Sequence, residues 1–299
     1  MELTNYQKVF EEYISECDLL PKNAQVYVLV SGGKDSTAMS YLFKEYAKKR
    51  KDLKLEFLNV VFPQMVFGKQ KKEITAAIKK ISKGLKNFTS KTAETSYEQL
   101  KLTTNPCLLC KQVRRKIIAE TIAKKNKKDN RIIIATAHNN YDLLAYFVEF
   151  FGISNKELAE KGIDYGQLHN IKFKDEQLEH FSHFFPKLEL DSGVALIKPM
   201  LVFGRPEIEG MFCRMFNLKK PVFTAGCGVA GFLEPCPYAK ERPKRVLFNF
   251  LKTLPEDKTK GLTNHDTFKK MLSVLKEKVE NYDEALKKIK KTSYETLLL

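Results

Sequence analysis

The chain of 299 residues lacks the features that mark several large classes of protein. No apolar run approaches the roughly 18 residues that a membrane-spanning helix needs. The opening stretch MELTNYQKVFEEY has neither the basic region nor the apolar core of a secretion signal. Internal repeats and linkers rich in proline or glycine are also missing. Hydrophobic residues make up 43% of the chain, which is enough for a sizeable core. We therefore expect a folded cytoplasmic protein with no membrane partner.

Acidic residues are too few to balance the basic ones. The chain has 36 Asp and Glu against 52 Lys and Arg, which gives a formal net charge of +16. Basic side chains gathered on one face release counterions from a phosphate backbone, so the excess indicates a nucleic acid partner. Lysine runs such as KKNKKD also reflect a lysine-rich composition. The position of each charge is therefore more informative than the total.

Short apolar runs alternate with helical patterns along most of the chain. We predict strands over Val26–Val30, Leu55–Val61, Arg131–Thr136 and Val194–Ile197, with a short one near Phe88. We predict helices over residues 5–16, 70–83 and 141–151, with others after the turn at 31–33 and after Cys107. Alternating strands and helices are typical of a parallel sheet covered on both faces. The predicted fold class is therefore α/β, with a doubly wound parallel sheet and helical N- and C-terminal appendages.

Three regions are predicted within this plan: an N-terminal helix (1–20), a central domain (21–255) and a basic helical appendage (256–299). Residues 153–190 break the rhythm and are expected to form an insertion or loop. That segment holds three of the five histidines, which we expect at the surface: His169, His180 and His183. The aromatic residues of the preceding helix are expected in the core: Tyr146, Phe147, Phe150 and Phe151.

A glycine turn follows the first predicted strand and precedes a helix, with the sequence Ser31-Gly32-Gly33-Lys34-Asp35-Ser36. Glycines let backbone N–H groups approach an anion, and the helix N-terminus adds its positive end. The serine hydroxyls can donate to phosphate, Lys34 supplies charge, and Asp35 can hold a magnesium-bound water or cap the helix. The turn matches neither a Walker A loop nor GxGxxG. It predicts a phosphate site of another kind.

Six cysteines are present, and the most informative are the proline-flanked ones. Pro106 precedes the pair Cys107 and Cys110, and Cys236 lies between two prolines; Cys227 is a further candidate ligand. Three chemistries remain open on the residues alone: a zinc site, an iron–sulfur cluster with three cysteines, and a redox pair. The spacing by itself favours zinc.

The glycine turn resembles the pyrophosphate loop of the PP-loop ATPases, the adenine nucleotide alpha-hydrolase superfamily, which cleave ATP to AMP and pyrophosphate. The segment from Cys107 through Arg115 and the segment around Cys236 resemble the tRNA thiolation branch, most closely the tRNA 2-thiocytidine synthetases. The resemblance spans roughly residues 20–255. It implies a [4Fe-4S] cluster on Cys107, Cys110 and Cys236, with Zn²⁺ as the alternative.

The resemblance implies an ATP-dependent tRNA sulfurtransferase that adenylates the C2 carbonyl of a pyrimidine and then delivers sulfur. It implies Mg²⁺, a sulfur donor (a cysteine desulfurase or sulfide) and a homodimer. The expected ATP contacts are Ser31, Gly32, Gly33, Lys34, Asp35, Ser36, Val60 and His138. The expected catalytic residues are Lys34, Asp35, His138 and Asp142. The expected RNA contacts are Arg114, Arg115, Lys116, Lys244 and Arg245.

Three residues between positions 141 and 146 depart from the branch. Tyr141 stands where a second acid is usual, and Ala145-Tyr146 stands where Glu-Thr is usual. These departures place the usual cytidine substrate in question. Two alternatives therefore stay open: a lysidine-synthetase-like tRNA ligase, and a zinc-stabilised protein that binds nucleotide or RNA without catalysis.

Overall fold

The computed structural model describes residues 2–61, 82–94, 106–125, 131–219 and 265–298, together with isolated positions between these ranges. The helix predicted over residues 70–83 falls almost wholly outside that part of the chain. No helix in the described ranges is long and apolar enough to cross a bilayer.

A six-stranded sheet forms the centre of the protein, in the order β3-β2-β1-β4-β6-β5. The strands are β1 (Gln25–Val30), β2 (Lys54–Val61), β3 (Phe88–Thr92), β4 (Ile132–Ala135), β5 (Lys187–Glu189) and β6 (Val194–Ile197). All pairings are parallel except that of β5 with β6. The inner strands β1 and β4 are apolar and almost fully buried because helices cover both of their faces.

Helices form a layer on each side of this sheet. They are α1 (Leu3–Glu16), α2 (Lys34–Lys49), α3 (Pro106–Lys125), α4 (Asn140–Phe151), α5 (Asn155–Lys161), α6 (Leu178–Ser182), α7 (Arg205–Phe216), α8 (His265–Lys278), α9 (Tyr282–Lys291) and α10 (Tyr294–Leu297). Helices α1, α2 and α7 contact one another, while α3, α4, α6, α8, α9 and α10 form a second connected group. Connections between parallel strands are right-handed. The chain crosses the sheet in one direction from β1 to β3 and in the other from β3 to β4, so α2 and α3 lie on opposite faces. The α/β doubly wound prediction is confirmed.

Residues 153–190 are more ordered than the sequence pattern indicates. They contain α5, α6, β5 and two short 3₁₀ turns, and they bury Leu158, Phe173, Phe181 and Phe184. The C-terminal helices hold this segment: Ile171 N–H donates to Lys278 O, and Phe173 N–H donates to Asn281 Oδ1 at 2.7 Å. The expectation of an irregular segment is wrong, because contacts distant in sequence supply the order. Its status as an insertion stays a prediction.

The connections from β1 and β4 leave the sheet in opposite directions, so a crevice opens at the carboxyl ends of these neighbouring strands. In open α/β sheets such a switch point is where ligands bind. The glycine turn follows β1, and Thr136 to Asn139 follow β4. The fold therefore brings both segments to the same edge.

Candidate functional site

The turn after β1 is held by its own serines. Ser31 Oγ and Ser36 Oγ lie 2.9 Å apart, Ser36 Oγ donates to Gly33 O, and Ser31 N–H donates to Ser36 Oγ. Gly32 adopts a φ of 85°, a left-handed conformation that favours glycine. Helix α2 begins after Gly33 with no side-chain cap. Its first N–H groups are therefore not capped by a side chain, which is the arrangement that binds a phosphate.

Asp35 links the turn after β1 to the loop after β4. Asn139 Nδ2, from the loop after β4, donates to Asp35 Oδ1 at 2.9 Å. The Lys34 ammonium lies 3.2 Å from Asp35 Oδ2. A carboxylate oriented by an amide and placed at a phosphate loop has the donor chemistry that a magnesium ion or its bound water requires.

A cavity of about 310 Å³ lies at the carboxyl ends of β1, β2 and β4. Its apolar lining comes from Leu29, Val30, Leu58, Val60, Ile118 and Ala137. Its polar lining comes from Ser31, Asp35, Ser36, Arg114, Thr136, His138, Asp142 and Tyr146. The structure thus gathers predicted ATP, catalytic and RNA residues from four separate segments around one space.

The loop after β4 presents its polar residues through a helix cap. Asn139 Oδ1 accepts from the N–H groups of Tyr141 and Asp142, and Asp142 Oδ2 accepts from Asn139 N–H at 3.0 Å. Asp142 is therefore a capping residue that also lines the cavity. His138 Nδ1 lies 3.0 Å from Thr136 Oγ1, which fixes the ring at the cavity edge.

The cysteine pair lies in the first turns of α3, which begins at Pro106. On a helix, Cys107, Cys110, Arg114 and Ile118 repeat at intervals of three and four residues and so share one face. Arg114 and Ile118 line the cavity, and the Cys110 side chain is half-buried. Of the predicted cluster residues, Cys110 therefore lies on the helical face that leads into the cavity.

Only part of the predicted metal site lies within the described residues. Two cysteines three apart at a helix N-terminus suit two ligand positions of a cluster or a zinc site, since that end stabilises thiolates. Cys227, Cys236 and the side chain of Cys107 lie outside the described residues. Within the part of the chain that is described, no group of three potential His, Cys, Asp or Glu ligands could hold a metal. Of the three expected ligands, only Cys110 has a described side chain, and its place in the first turns of α3 fits one ligand position.

The predicted RNA residues separate into three groups. Arg114 lines the cavity. Arg115 instead faces inward: its Nη2 lies 2.7 Å from Glu179 Oε2, its Nε donates to Leu298 O, and burial lowers its pKa. Lys116 is exposed and lines a second cavity of about 740 Å³ between β3 and α3. Lys244 and Arg245 lie outside the described residues.

Sequence reasoning missed several buried polar residues. Asn59 Nδ2 donates to Val30 O at 2.6 Å, and Ser90 Oγ donates to Asn59 Oδ1, which ties the ends of β1, β2 and β3. His183 is 2% exposed, so the prediction that it lies at the surface is wrong. His169 is exposed as predicted, and His180 is half-buried.

The aromatic stripe of α4 is only partly core. Phe147 and Phe150 are buried, whereas Tyr146 is half-buried and lines the cavity. Periodicity placed Tyr146 on the helix correctly. It could not show that the carboxyl end of the sheet leaves an opening beside this residue.

The structure defines an α/β protein with a glycine turn at a helix N-terminus, set at the switch point of a mostly parallel sheet, which is the geometry of a phosphate site. The model of the PP-loop domain matches residues 2–216, and the chain therefore belongs to the PP-loop domain family. No curated protein matches it significantly.

Among solved structures, the chain is similar to the U34-tRNA thiolase NcsA from Methanococcus maripaludis, solved with its [4Fe-4S] cluster. The identity is 21%, the TM-score is 0.55, and the match covers 92% of this chain and 82% of that one. A weaker likeness, to NAD⁺ synthetase from Burkholderia pseudomallei, has 10% identity, a TM-score of 0.44 and coverage of 93% and 88%. At 21% identity, the likeness to the thiolase shows the fold.

Proposed function

We propose that this protein is an ATP-dependent tRNA thiolation enzyme, which adenylates the C2 carbonyl oxygen of a tRNA pyrimidine and then replaces that oxygen with sulfur. One observation carries the proposal: the phosphate turn (Ser31–Ser36) and Arg114, which follows Cys110 by one turn of α3, line a single cavity. ATP chemistry and thiol chemistry are thereby served by one site. The PP-loop family supports the first, and the thiolase-like fold accords with the second.

In the first half of the reaction, the β- and γ-phosphates of ATP lie on the N–H groups at the start of α2, and the adenine lies against Leu29, Leu58 and Val60. The pyrimidine oxygen attacks the α-phosphorus, the bond to the β-phosphate oxygen breaks, and pyrophosphate leaves. Lys34 balances the charge that develops on the phosphate oxygens. Asp35 would hold Mg²⁺, which would neutralise further charge when bound.

In the second half, a sulfur nucleophile forms a bond to C2, the bond from C2 to the adenylate oxygen breaks, and AMP leaves. Cys107, Cys110 and Cys236 would hold a [4Fe-4S] cluster, which supplies a sulfide nucleophile when bound. Arg114, on this helical face, lines the same cavity as the phosphate turn and attracts the departing AMP. His138 is placed to move a proton at the cavity edge. The sulfur comes from free sulfide, or from the persulfide of a cysteine desulfurase once a thiol reductant has released it as sulfide and formed a disulfide.

A tRNA substrate is supported by charge and by the thiolation-like cysteine segments. The net charge of +16 is far more than ATP alone requires. Arg114 in the cavity and the exposed Lys116, two residues further along α3, place positive charge where RNA would approach. The departures at Tyr141 and Ala145 leave the choice between cytidine and uridine to experiment.

The ATP step is tested with Asp35→Ala. We expect AMP release to fall at least ~100-fold, because the carboxylate that orients the metal is lost. Asp164→Ala is the matched control: Asp164 is exposed and caps a 3₁₀ turn away from the cavity. AMP release is measured with labelled ATP and unmodified tRNA. Unchanged AMP release in Asp35→Ala would contradict the assignment of the phosphate turn.

The sulfur step is tested with Cys110→Ser, reconstituted without oxygen and analysed for iron, zinc and sulfide. We expect iron content and thiolated nucleosides to fall together while AMP formation persists. Cys213→Ser, a half-buried free cysteine on α7, is the control. One equivalent of zinc with no iron in the wild type would favour the zinc-stabilised alternative. An amine-modified base in place of a thiolated one would favour the ligase alternative.

A further inference from the structure

Two rings in the cavity wall are backed by a buried histidine. Tyr146 and His138 both line the cavity. The His183 ring stacks on Tyr146 with centroids 4.8 Å apart and planes at 21°, and it lies 4.4 Å from the His138 ring. His180, on helix α6, packs on Tyr146 with ring centroids 5.3 Å apart. We call Tyr146 and His138 the ring wall; its orientation is set by a third ring that the cavity does not contact.

His183 is an unusual choice for a purely structural support. Its side chain is buried, and neither ring nitrogen has a hydrogen-bond partner among the described residues. The nearest carboxylate oxygen, Glu179 Oε1, is 3.7 Å from Nε2 and is shared with Lys111. Burial lowers the pKa of His183 well below its ordinary value, so the ring that supports the wall is neutral. In the described structure His183 contributes the flat face of its ring, which packs against Tyr146 and His138.

Lys198 fixes the turn that carries His183. Its ammonium is buried and donates to Ser182 O and Phe185 O, each at 3.0 Å, so the two bonds bracket His183 in sequence. A buried lysine is costly unless it is paired. The buried side chains of Lys198 and His183 therefore both help to position the ring wall.

The ring wall lies at one end of the cavity and differs from the other end. Leu29, Leu58 and Val60 give the β2 side an aliphatic lining, and the phosphate turn lies beside it. The β4 side has the rings. Proteins bind unpaired bases by stacking them on aromatic and histidine side chains. If adenine occupies the aliphatic side, a second planar heterocycle fits the side with the rings.

We propose that Tyr146 and His138 form the subsite for the pyrimidine base that is modified, and that His183 and Lys198 position this wall. The proposal rests on the proposed function and assigns its substrate base to named residues. It also gives a physical reason for the departure at Tyr146, because a small hydroxyl residue there would offer no stacking surface.

The first test separates base binding from ATP binding. For Tyr146→Leu we expect the thiolation KM for tRNA to rise about 10-fold, the scale of one lost stacking contact, with the Kd for ATP within about twofold. Tyr165→Leu is the control, because Tyr165 packs on Phe147 away from the cavity. A rise in the Kd for ATP that matches the rise in KM would assign the wall to adenine and overturn the proposal. An unchanged KM would also overturn it.

The second test addresses positioning. His183→Phe keeps a flat ring beneath the wall, whereas His183→Leu does not. We expect the KM for tRNA to rise in His183→Leu and to stay close to the wild-type value in His183→Phe. Circular dichroism checks that both variants contain the same amount of folded protein. Equal losses in both variants, or none in either, would contradict support through the ring face.

The last test does not depend on turnover. Saturation-transfer NMR with uridine and with cytidine, in the presence of a non-hydrolysable ATP analogue, reports contact with the base protons directly. We expect transfer to at least one nucleoside in the wild type and its loss in Tyr146→Leu. Transfer that survives in Tyr146→Leu overturns the subsite. A wild type that binds the nucleoside but makes no AMP or thiolated tRNA overturns the proposed function instead.

Discussion

Lys198 shows how one residue can make the stability of the whole fold depend on pH. Burial lowers its pKa from the ordinary 10.5 to about 7 in the folded protein. Between these two values the unfolded chain binds more protons than the folded one. Stability therefore increases as the pH rises through this window, and it is lowest where the buried lysine must carry its charge.

We expect Lys198→Met to remove this dependence. From pH 7 to 8.5 the free energy of unfolding of the wild type should gain up to about 1.4 kcal/mol per pH unit relative to the variant. Urea unfolding at several pH values measures the difference, and Lys187→Met, whose lysine forms surface ion pairs, is the control. Parallel pH profiles for the wild type and Lys198→Met would show that the buried lysine keeps its ordinary pKa.

Residues were predictable where their chemistry is local in sequence. Ser31, Asp35 and Ser36 lie within six consecutive positions, so the turn could be read directly as a phosphate site. The bond from Asn139 to Asp35 joins residues 104 positions apart, and no periodicity reports it. His183 was misplaced for the same reason: its polar neighbours in sequence gave no sign of the rings that cover it.

At the scale of the element, the N-terminus of α4 combines a structural and a functional task. Asn139 accepts two backbone N–H bonds that begin the helix, and its amide donates to Asp35 in the facing loop. The same side chain thus sets where α4 begins and how the predicted metal-binding carboxylate is oriented. Capping and positioning can be separated by substitution, because only the second requires a donor.

We expect Asn139→Asp to keep the cap and lose the positioning. An aspartate still accepts the two N–H bonds but turns a carboxylate toward Asp35. AMP formation should fall at least ~10-fold with little change in stability, whereas Asn139→Ala should also cost about 1 kcal/mol. Ser154→Ala, which removes the cap of α5, is the control that lowers stability without affecting AMP formation. Full activity in Asn139→Asp would show that Asp35 needs no donor there.

Elements were predictable where burial is continuous along the chain. The apolar runs of β1 and β4 identified two central strands, because both faces of a parallel strand are covered. Residues 153–190 resisted prediction because their short helices bury only a few side chains each. Their order comes from α8 and α9, which lie about a hundred positions further along the chain.

For the whole molecule, the effect of the net charge of +16 on tRNA binding depends on where the basic residues lie relative to the cavity. Arg115 and Lys111 pair with Glu179 and so contribute less to a surface field. Lys91, Lys116, Lys124 and Lys125 line the second cavity, on the opposite side of α3 from Arg114. Lys22 lies before β1, at the opposite edge of the sheet. Among these described groups, the second-cavity lysines lie beside α3, the helix that also lines the first cavity, and we expect them to guide a bound tRNA.

This arrangement predicts how tRNA binding responds to salt. Each phosphate contact contributes about −0.9 to the slope of log K against log salt concentration, so a site with roughly five contacts gives a slope near −4.5. Lys116→Gln should make that slope shallower by about one contact and weaken binding to all tRNA sequences alike. Lys22→Gln has the same charge change and should leave the slope as it is. Filter binding of unmodified tRNA from low to moderate salt measures all three proteins. Equal effects of the two substitutions would mean that the overall charge attracts tRNA, and that the cavity beside α3 does not contact it.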